Sequence, residues 1–188
     1  MTKLILLSGD YGVGKSEFGK QIRKHVKFSN IPIIALADNL KYGLSQMLGI
    51  NIQYFYDPDL KNVILPEYGV TPRYLMETCG TNWGRDMVSV DLWSVVLKRK
   101  LQKTNEKFII VEDVRFQSEL RFLSNHYPIH IVYIKSNREN VKSSIGDLSL
   151  DYLKNSKLKF HVLTNNSSLT AYQEKCYNLM EIIENEQG

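Results

Sequence analysis

The chain reads as an α/β protein built on a mainly parallel sheet. Apolar runs of strand length alternate with amphipathic stretches of helical period. A glycine-rich loop joins the first such run to the first helix, and a later apolar run ends in two adjacent carboxylates, "FIIVED". With 188 residues, the chain has room for one well-packed domain. No repeat, low-complexity tract or Gly/Pro-rich linker interrupts it.

Lys3–Leu7 is apolar almost throughout, as a strand buried on both faces of a parallel sheet must be. Lys15–Val26 follows, with Phe18, Ile22 and Val26 at four-residue spacing, the stripe of an amphipathic helix. Ile31–Leu36 is the second strand. Asp38 stands where a helix N-cap belongs, ahead of Leu40, Leu44, Met47 and Leu48. Asn51–Val70 breaks into Tyr, Pro and Asp and reads as loop. Pro72 suits the first turn of a helix carrying Tyr74, Leu75 and Met76. Asp91–Leu101 forms another helix, with Leu92, Val95, Val96 and Leu101 as its stripe. Three further strands follow in "KFIIVED", "IHIVYIK" and "LKFHVLTN". A last helix, "LTAYQEKCYNLMEII", aligns Leu169, Tyr172, Cys176, Leu179 and Ile183. Irregular excursions occupy roughly Asp38–Val90 and Ser136–Lys157.

Composition narrows the function classes. Apolar residues make up 43% and charged residues 23%, values of a folded globular chain. A net charge of +4 suits a small polyanionic ligand. No basic run is interleaved with aromatics, so direct nucleic-acid binding is not expected. Cys79 and Cys176 form no CxxC pair, and His25, His126, His130 and His161 show no metal-ligand spacing. The sequence therefore predicts neither a structural metal nor a disulfide framework, and a reducing, cytoplasmic setting fits better. The apolar runs are too short for a membrane span, and the first is too short for a signal peptide.

Gly9-x-x-x-x-Gly14-Lys15-Ser16 matches the P-loop (Walker A) pattern. Its glycines, Gly12 included, let backbone close around phosphate, with amides turned inward as an anion nest. Asp10, Val13 and Glu17 complete the expected phosphate-binding stretch. Lys15 would reach the β- and γ-phosphates, Ser16 would ligate Mg²⁺, and the helix N-terminus adds partial positive charge. Asp113, at the carboxyl end of its strand, could hold Mg²⁺ through water, and Arg115 could face an anion with Glu119 as its partner. A surface Arg–Glu pair at a helix start is the plainer reading of the last two, worth at most about 1 kcal/mol. In "TPRYLMETCGTNWGRDMVSVDLW", Arg73 and Arg85 bracket Gly80-Thr81, and Trp83 and Trp93 are the chain's two tryptophans. Arginine forks suit phosphate and aromatics suit a nucleobase, while core packing accounts equally well for Trp93.

Taken together, Gly9–Ser16, "ALADNLK", "TPRYLMETCGTNWGR" with Trp93, "VEDVRFQSEL" and "VLTNNSSLTAYQEKC" resemble the bacteriophage-type deoxynucleoside monophosphate kinases of the P-loop nucleotide-kinase superfamily. These blocks span most of the chain, and the PR…GT…GR and DVRF…E blocks are more specific than the P-loop. The resemblance implies a three-layer fold: a five-stranded parallel sheet, helices on both faces, an acceptor excursion at roughly 38–90 and a lid at roughly 136–157. It implies ATP and Mg²⁺ as cofactors and a deoxynucleoside monophosphate as acceptor; a homodimer stays open. Asp38 and Lys41 would frame the acceptor site. Arg73, Gly80, Thr81, Trp83, Arg85, Asp86, Trp93 and Glu119 would bind the acceptor, and Asp113 and Arg115 would lie between its phosphate and the metal. Asn165 would border the donor adenine.

A monophosphate already carries an anionic nucleophile, so such chemistry needs positioning and charge neutralisation rather than a strong base. The lid departs from the family pattern. It has one arginine, Arg138, leaving Arg138, Lys142 and Lys154 to close over ATP. Two alternatives remain at this point: a kinase for another small acceptor, similar to dephospho-coenzyme A kinases, and a catalytically weak nucleotide-binding regulatory module.

Overall fold

The structure is a computed structural model and describes residues 2–139, 141 and 146–186. In chain order it contains β1 (Lys3–Ser8), α1 (Lys15–Lys24), β2 (Ile33–Ala35), α2 (Asp38–Leu48), α3 (Gln53–Tyr56), a 3₁₀ turn at Leu60–Asn62 and α4 (Pro72–Glu77). A π-helix at Thr78–Val88 follows, then α5 (Leu92–Leu101), β3 (Phe108–Glu112), α6 (Gln117–Ser124), β4 (Ile129–Lys135), α7 (Leu150–Asn155), β5 (Phe160–Thr164) and α8 (Leu169–Asn185).

The five strands form one all-parallel sheet in the order β2-β3-β1-β4-β5. This is the α/β fold and the strand count expected. In register, Leu4 lies beside Ile109 and Ile129, and Leu6 beside Val111 and Ile131. Ile5, Leu7, Ile110, Val132 and Ile134 alternate onto one face, where Phe18 and Ile22 of α1 and Tyr172, Cys176, Met180 and Ile183 of α8 pack over them. Leu4, Leu6, Ile109, Val111 and Ile131 take the other face and are equally withdrawn from water. Two buried faces explain why β1 and β3 lack a polar alternation. From β1 the chain turns to one side to make β2, and from β3 it turns to the other to make β4. The carboxyl ends of β1 and β3 therefore flank a topological switch point, the place where open α/β sheets bind ligands.

Contacts divide the chain into two compact units, Met1–Ala35 with Lys103–Gly188, and Leu36–Gln102. The first holds the sheet. The second has its own small core of Leu40, Leu44, Ile50, Phe55 and Leu65, against which Leu75, Met76 and Trp93 pack. No described helix is long and apolar enough to cross a membrane.

Several boundaries differ from the sequence reading, each for a physical reason. Helix α1 stops at Lys24 because His25 turns extended, and its N–H closes onto the Ile22 carbonyl. Val26 is consequently 96% exposed, and Phe28 supplies the core contact instead. Strand β2 begins only at Ile33, since Pro32 has no N–H to give the ladder; its carbonyl still accepts from Ile110. Asp38 is the first residue of α2 rather than its cap, a place held by Ala37. Met47 points to water, and α5 buries Ser94, Leu97 and Leu101, a face rotated from the expected stripe. Leu169 is exposed at the start of α8. The stretch read as loop at 51–70 contains α3 and the 3₁₀ turn. Pro72 does open α4, with Thr71 capping through a bond from the Tyr74 N–H.

Ile110 is fully buried and Val26 is not, which sets up a paired test. Ile110→Ala should cost about 2–5 kcal/mol of unfolding free energy in urea, and Val26→Ala no more than about 0.5 kcal/mol.

Candidate active site

The glycine loop leaves β1 at the switch point and runs into α1. Gly9, Gly12 and Gly14 have φ of 131°, 82° and 103°, a region that side-chain-bearing residues avoid. Space is as restrictive as conformation. A Cβ on Gly9 would stand 2.1 Å from the Ile134 carbonyl oxygen, and one on Gly14 would stand 2.4 Å from Asn165 Nδ2. Beneath the loop, Asn165 Nδ2 donates to the Val13 carbonyl (2.9 Å) and the Tyr172 hydroxyl donates to that of Gly14 (3.1 Å). Carbonyls held against the floor are what an anion nest requires, because amides must then face the ligand. The N-terminus of α1 adds its dipole at the same point.

Charge is concentrated where β1 and β3 end. Lys15 Nζ donates to the carbonyls of Gly9 (2.7 Å) and Asp10 (2.8 Å) and lies 3.5 Å from Asp113 Oδ1. The other oxygen of Asp113 accepts from Arg115 Nη2, and Arg115 Nη1 contacts the Tyr11 hydroxyl. The guanidinium carbon lies 4.6 Å from the centre of the Tyr11 ring, so Tyr11 both stacks on and hydrogen-bonds the arginine. Asp113 adopts φ 68°, the one positive value among described non-glycine residues and one that aspartate tolerates. The next residue rejoins the ladder, with the Val114 N–H donating to the Leu7 carbonyl.

These groups set one another's protonation. Burial alone would raise the Asp113 carboxyl, but the bond and charge of Arg115, then Lys15, hold it below the usual carboxylate range. Burial lowers the Lys15 ammonium, opposed by Asp113 and helped by Arg115. Burial would also lower Arg115; Asp113 more than offsets this and raises it. One carboxylate between two cations leaves the cluster with a net positive charge, which suits an anionic oxygen as ligand.

Glu119 lies against the Arg115 loop. It is buried, and its Oε2 accepts the backbone N–H groups of Arg115 (2.8 Å) and Phe116 (3.0 Å). It thus fixes the loop carrying Arg115 and closes the start of α6. Glu17 also works within its helix, paired with Gln21 and Lys20, while Ser16 is exposed at the loop's end.

Asn165 bridges the loop floor and the segment read as a lid. Its Oδ1 accepts from Arg138 Nη2 (3.1 Å), which also reaches the Ser167 carbonyl (3.4 Å). Leu148 donates its N–H to the Arg115 carbonyl (3.0 Å), and Asp147 Oδ1 accepts the Gln117 N–H (2.7 Å). The stretch before α7 is therefore anchored on the Arg115 loop. Lys154 forms an exposed pair with Asp151. Lys142 lies outside the described residues.

The second unit gathers a different set. Asp38 Oδ1 accepts from the Tyr56 hydroxyl (2.8 Å), and Lys41 Nζ lies 4.1 Å from the centre of the same ring. Arg73 Nε donates to Asn62 Oδ1 (2.8 Å), and Arg85 Nη1 to the Val90 carbonyl (3.3 Å). Gly80, Thr81, Trp83, Arg85 and Asp86 all lie on the π-helix. Wide turns of this kind are rare and concentrate at functional sites. Trp93 holds that helix: its Nε1 donates to the Gly80 carbonyl (2.8 Å), and its ring would lie 2.8 Å from a Cβ placed on Gly84. This is the packing role. Trp83 is half exposed. Sequence reasoning missed Tyr11, an unspecified position of the P-loop pattern, and Tyr56, which lay in a presumed loop.

No protein-family model matches the chain, and no curated protein matches it. Among solved structures it is similar to TT1252 from Thermus thermophilus, at 15% identity and a TM-score of 0.54, over 100% of this chain and 99% of that one. It is also similar to dephospho-CoA kinase from Campylobacter jejuni, at 14% identity and a TM-score of 0.50, over 97% of this chain and 98% of that one. At such identities the likeness is one of fold, and it covers at least 97% of each chain.

The Asp113 carboxyl titrates lower folded than unfolded, so its ionisation stabilises the fold above the unfolded value near ~3.9, and that contribution is lost as pH falls through the folded value. Urea unfolding from about pH 5 to about pH 2 should show a steeper acid loss for the wild type than for Asp113→Asn, which has no such carboxylate to protonate.

Proposed function

We propose that the chain is an ATP- and Mg²⁺-dependent phosphotransferase that converts a deoxynucleoside monophosphate to its diphosphate. The observation that carries this reading is the Lys15–Asp113–Arg115 cluster set against a glycine loop at the sheet's switch point. The loop amides and Lys15 bind the triphosphate. The Ser16 hydroxyl and, through water, Asp113 hold Mg²⁺. Asp113 fits that role because its buried Oδ1 has the 3.5 Å ion pair with Lys15 but no hydrogen bond among the described residues. Bound there, the ion would neutralise charge on the phosphate chain. Arg115, kept in place by Tyr11 and Glu119, faces acceptor phosphate. Arg73, Thr81 and Arg85 belong to acceptor recognition, with Trp83 toward the base. Attack by a phosphate oxygen on the γ-phosphorus breaks the bond to the ADP oxygen, and no proton must be removed from the nucleophile.

The similarity to a dephospho-CoA kinase favours a second reading, in which the acceptor is a hydroxyl. A hydroxyl needs a carboxylate base close to the γ-phosphate. Asp113, held ionised by two cations, is a weak base, which supports the phosphate acceptor.

A panel of nucleoside and deoxynucleoside monophosphates, 5-substituted dUMPs and dephospho-CoA, assayed for ADP release with ATP and Mg²⁺, separates the two. Diphosphate should form from at least one deoxynucleoside monophosphate, and turnover of dephospho-CoA alone would select the second reading. Lys15→Ala should lower kcat at least about 100-fold, and Arg85→Ala should lower kcat/KM for the monophosphate about 10- to 100-fold, mainly through KM.

A further inference from the structure

At the opposite edge of the sheet, the amino ends of β4 and β5 carry His130 and His161, each the second residue of its strand. Val132 is in register with His161, so the two histidines lie on one face of the sheet, offset by two residues along neighbouring strands. It is the face covered by α8, and Glu186, just past that helix, comes down onto them. Glu186 Oε2 lies 3.4 Å from His130 Nδ1 and 3.7 Å from His161 Nε2, and each of the three residues offers a ligand atom within 4.8 Å of the other two.

Those distances are long for hydrogen bonds, which close to about 2.7–3.2 Å. The shorter of them matches another geometry, and the longer lies a few tenths of an ångström outside it. Donor atoms 2.0–2.1 Å from a tetrahedral zinc ion stand about 3.3–3.4 Å apart. His161 Nε2 and Glu186 Oε2 are both buried and have no hydrogen-bond partner among the described residues, although each is costly to bury alone. The surroundings supply the outer support that a ligating carboxylate needs. Lys159 Nζ lies 2.6 Å from the other Glu186 oxygen, and Lys3 Nζ donates to the Glu186 backbone carbonyl (3.3 Å).

We propose that His130, His161 and Glu186 bind one divalent transition-metal ion of zinc's class, which clips the end of α8 to β4 and β5. Imidazole and carboxylate donors suit zinc, and three protein ligands leave a fourth position to water. The site is independent of the glycine loop, whose oxygen donors suit Mg²⁺. The spacing is illegible in sequence because the ligands come from three elements that only folding brings together.

Calorimetric titration of the chelator-treated full-length chain with Zn²⁺, in excess Mg²⁺, should give one equivalent bound and a raised Tm. His130→Ala and His161→Ala should each weaken binding more than about tenfold and leave phosphoryl transfer unchanged. Co²⁺ on the wild type should give the visible d–d absorption of a tetrahedral site without a thiolate charge-transfer band, a reading that stands even if an alanine variant fails to fold. Absence of stoichiometric binding, binding retained in a folded His161→Ala protein, or a thiolate band assigning the ion to a cysteine would each overturn the proposal.

Discussion

The first unit is organised around one carboxylate. Asp113 directly follows β3 beside the end of β1, and the parallel pairing of those strands delivers it to the root of the glycine loop. Between Lys15 and Arg115 it does what neither cation could do alone. It lets two positive charges be held close together in a partly buried place. Removing the carboxylate would leave like charges facing each other at low solvent exposure, a cost larger than any surface pair could offset. The left-handed turn at Asp113 belongs to this arrangement, since it lets the next residue return to the ladder while the side chain stays with its cations.

Around this centre, the surrounding elements act as braces. Glu119 ties down the backbone of Arg115 and Phe116, and Tyr11 covers the guanidinium. Leu148 takes the Arg115 carbonyl from the other side. Few of these contacts touch a reacting atom in the proposed chemistry. Their effect is to remove rotamer freedom before a ligand arrives, so that binding free energy is not spent on ordering the site.

Much of the first unit was legible in the sequence because its signals are local. An apolar run buried on both faces, a glycine pattern with fixed offsets and a strand ending in carboxylates each need only neighbours in the chain. Gly9–Ser16, Asp113 and Arg115 fall where that reasoning put them in the fold. The limits were equally physical. Val26 keeps the helical period of Phe18 and Ile22 but lies past a helix end set by the extended turn at His25. The π-helix carries Trp83 and Arg85 on a wider turn than any standard period anticipates. Glu119, expected beside the Arg115 side chain, also takes the backbone N–H groups of Arg115 and Phe116, a role that no pairwise reading of the sequence anticipates. His130, His161 and Glu186 meet only through the register of β4 against β5 and the length of α8.

Asn165 carries a consequence of its own. Its amide is read in one sense only, with the nitrogen end given to Val13 and the oxygen end receiving Arg138. Both halves are spoken for, so a flipped amide would set donor against donor and lone pair against lone pair. The isosteric acid would fare no better toward the loop, having no proton to offer the carbonyl there. A single planar group thus gives the glycine loop and Arg138 a shared polarity, and neither can be re-oriented without disturbing the other.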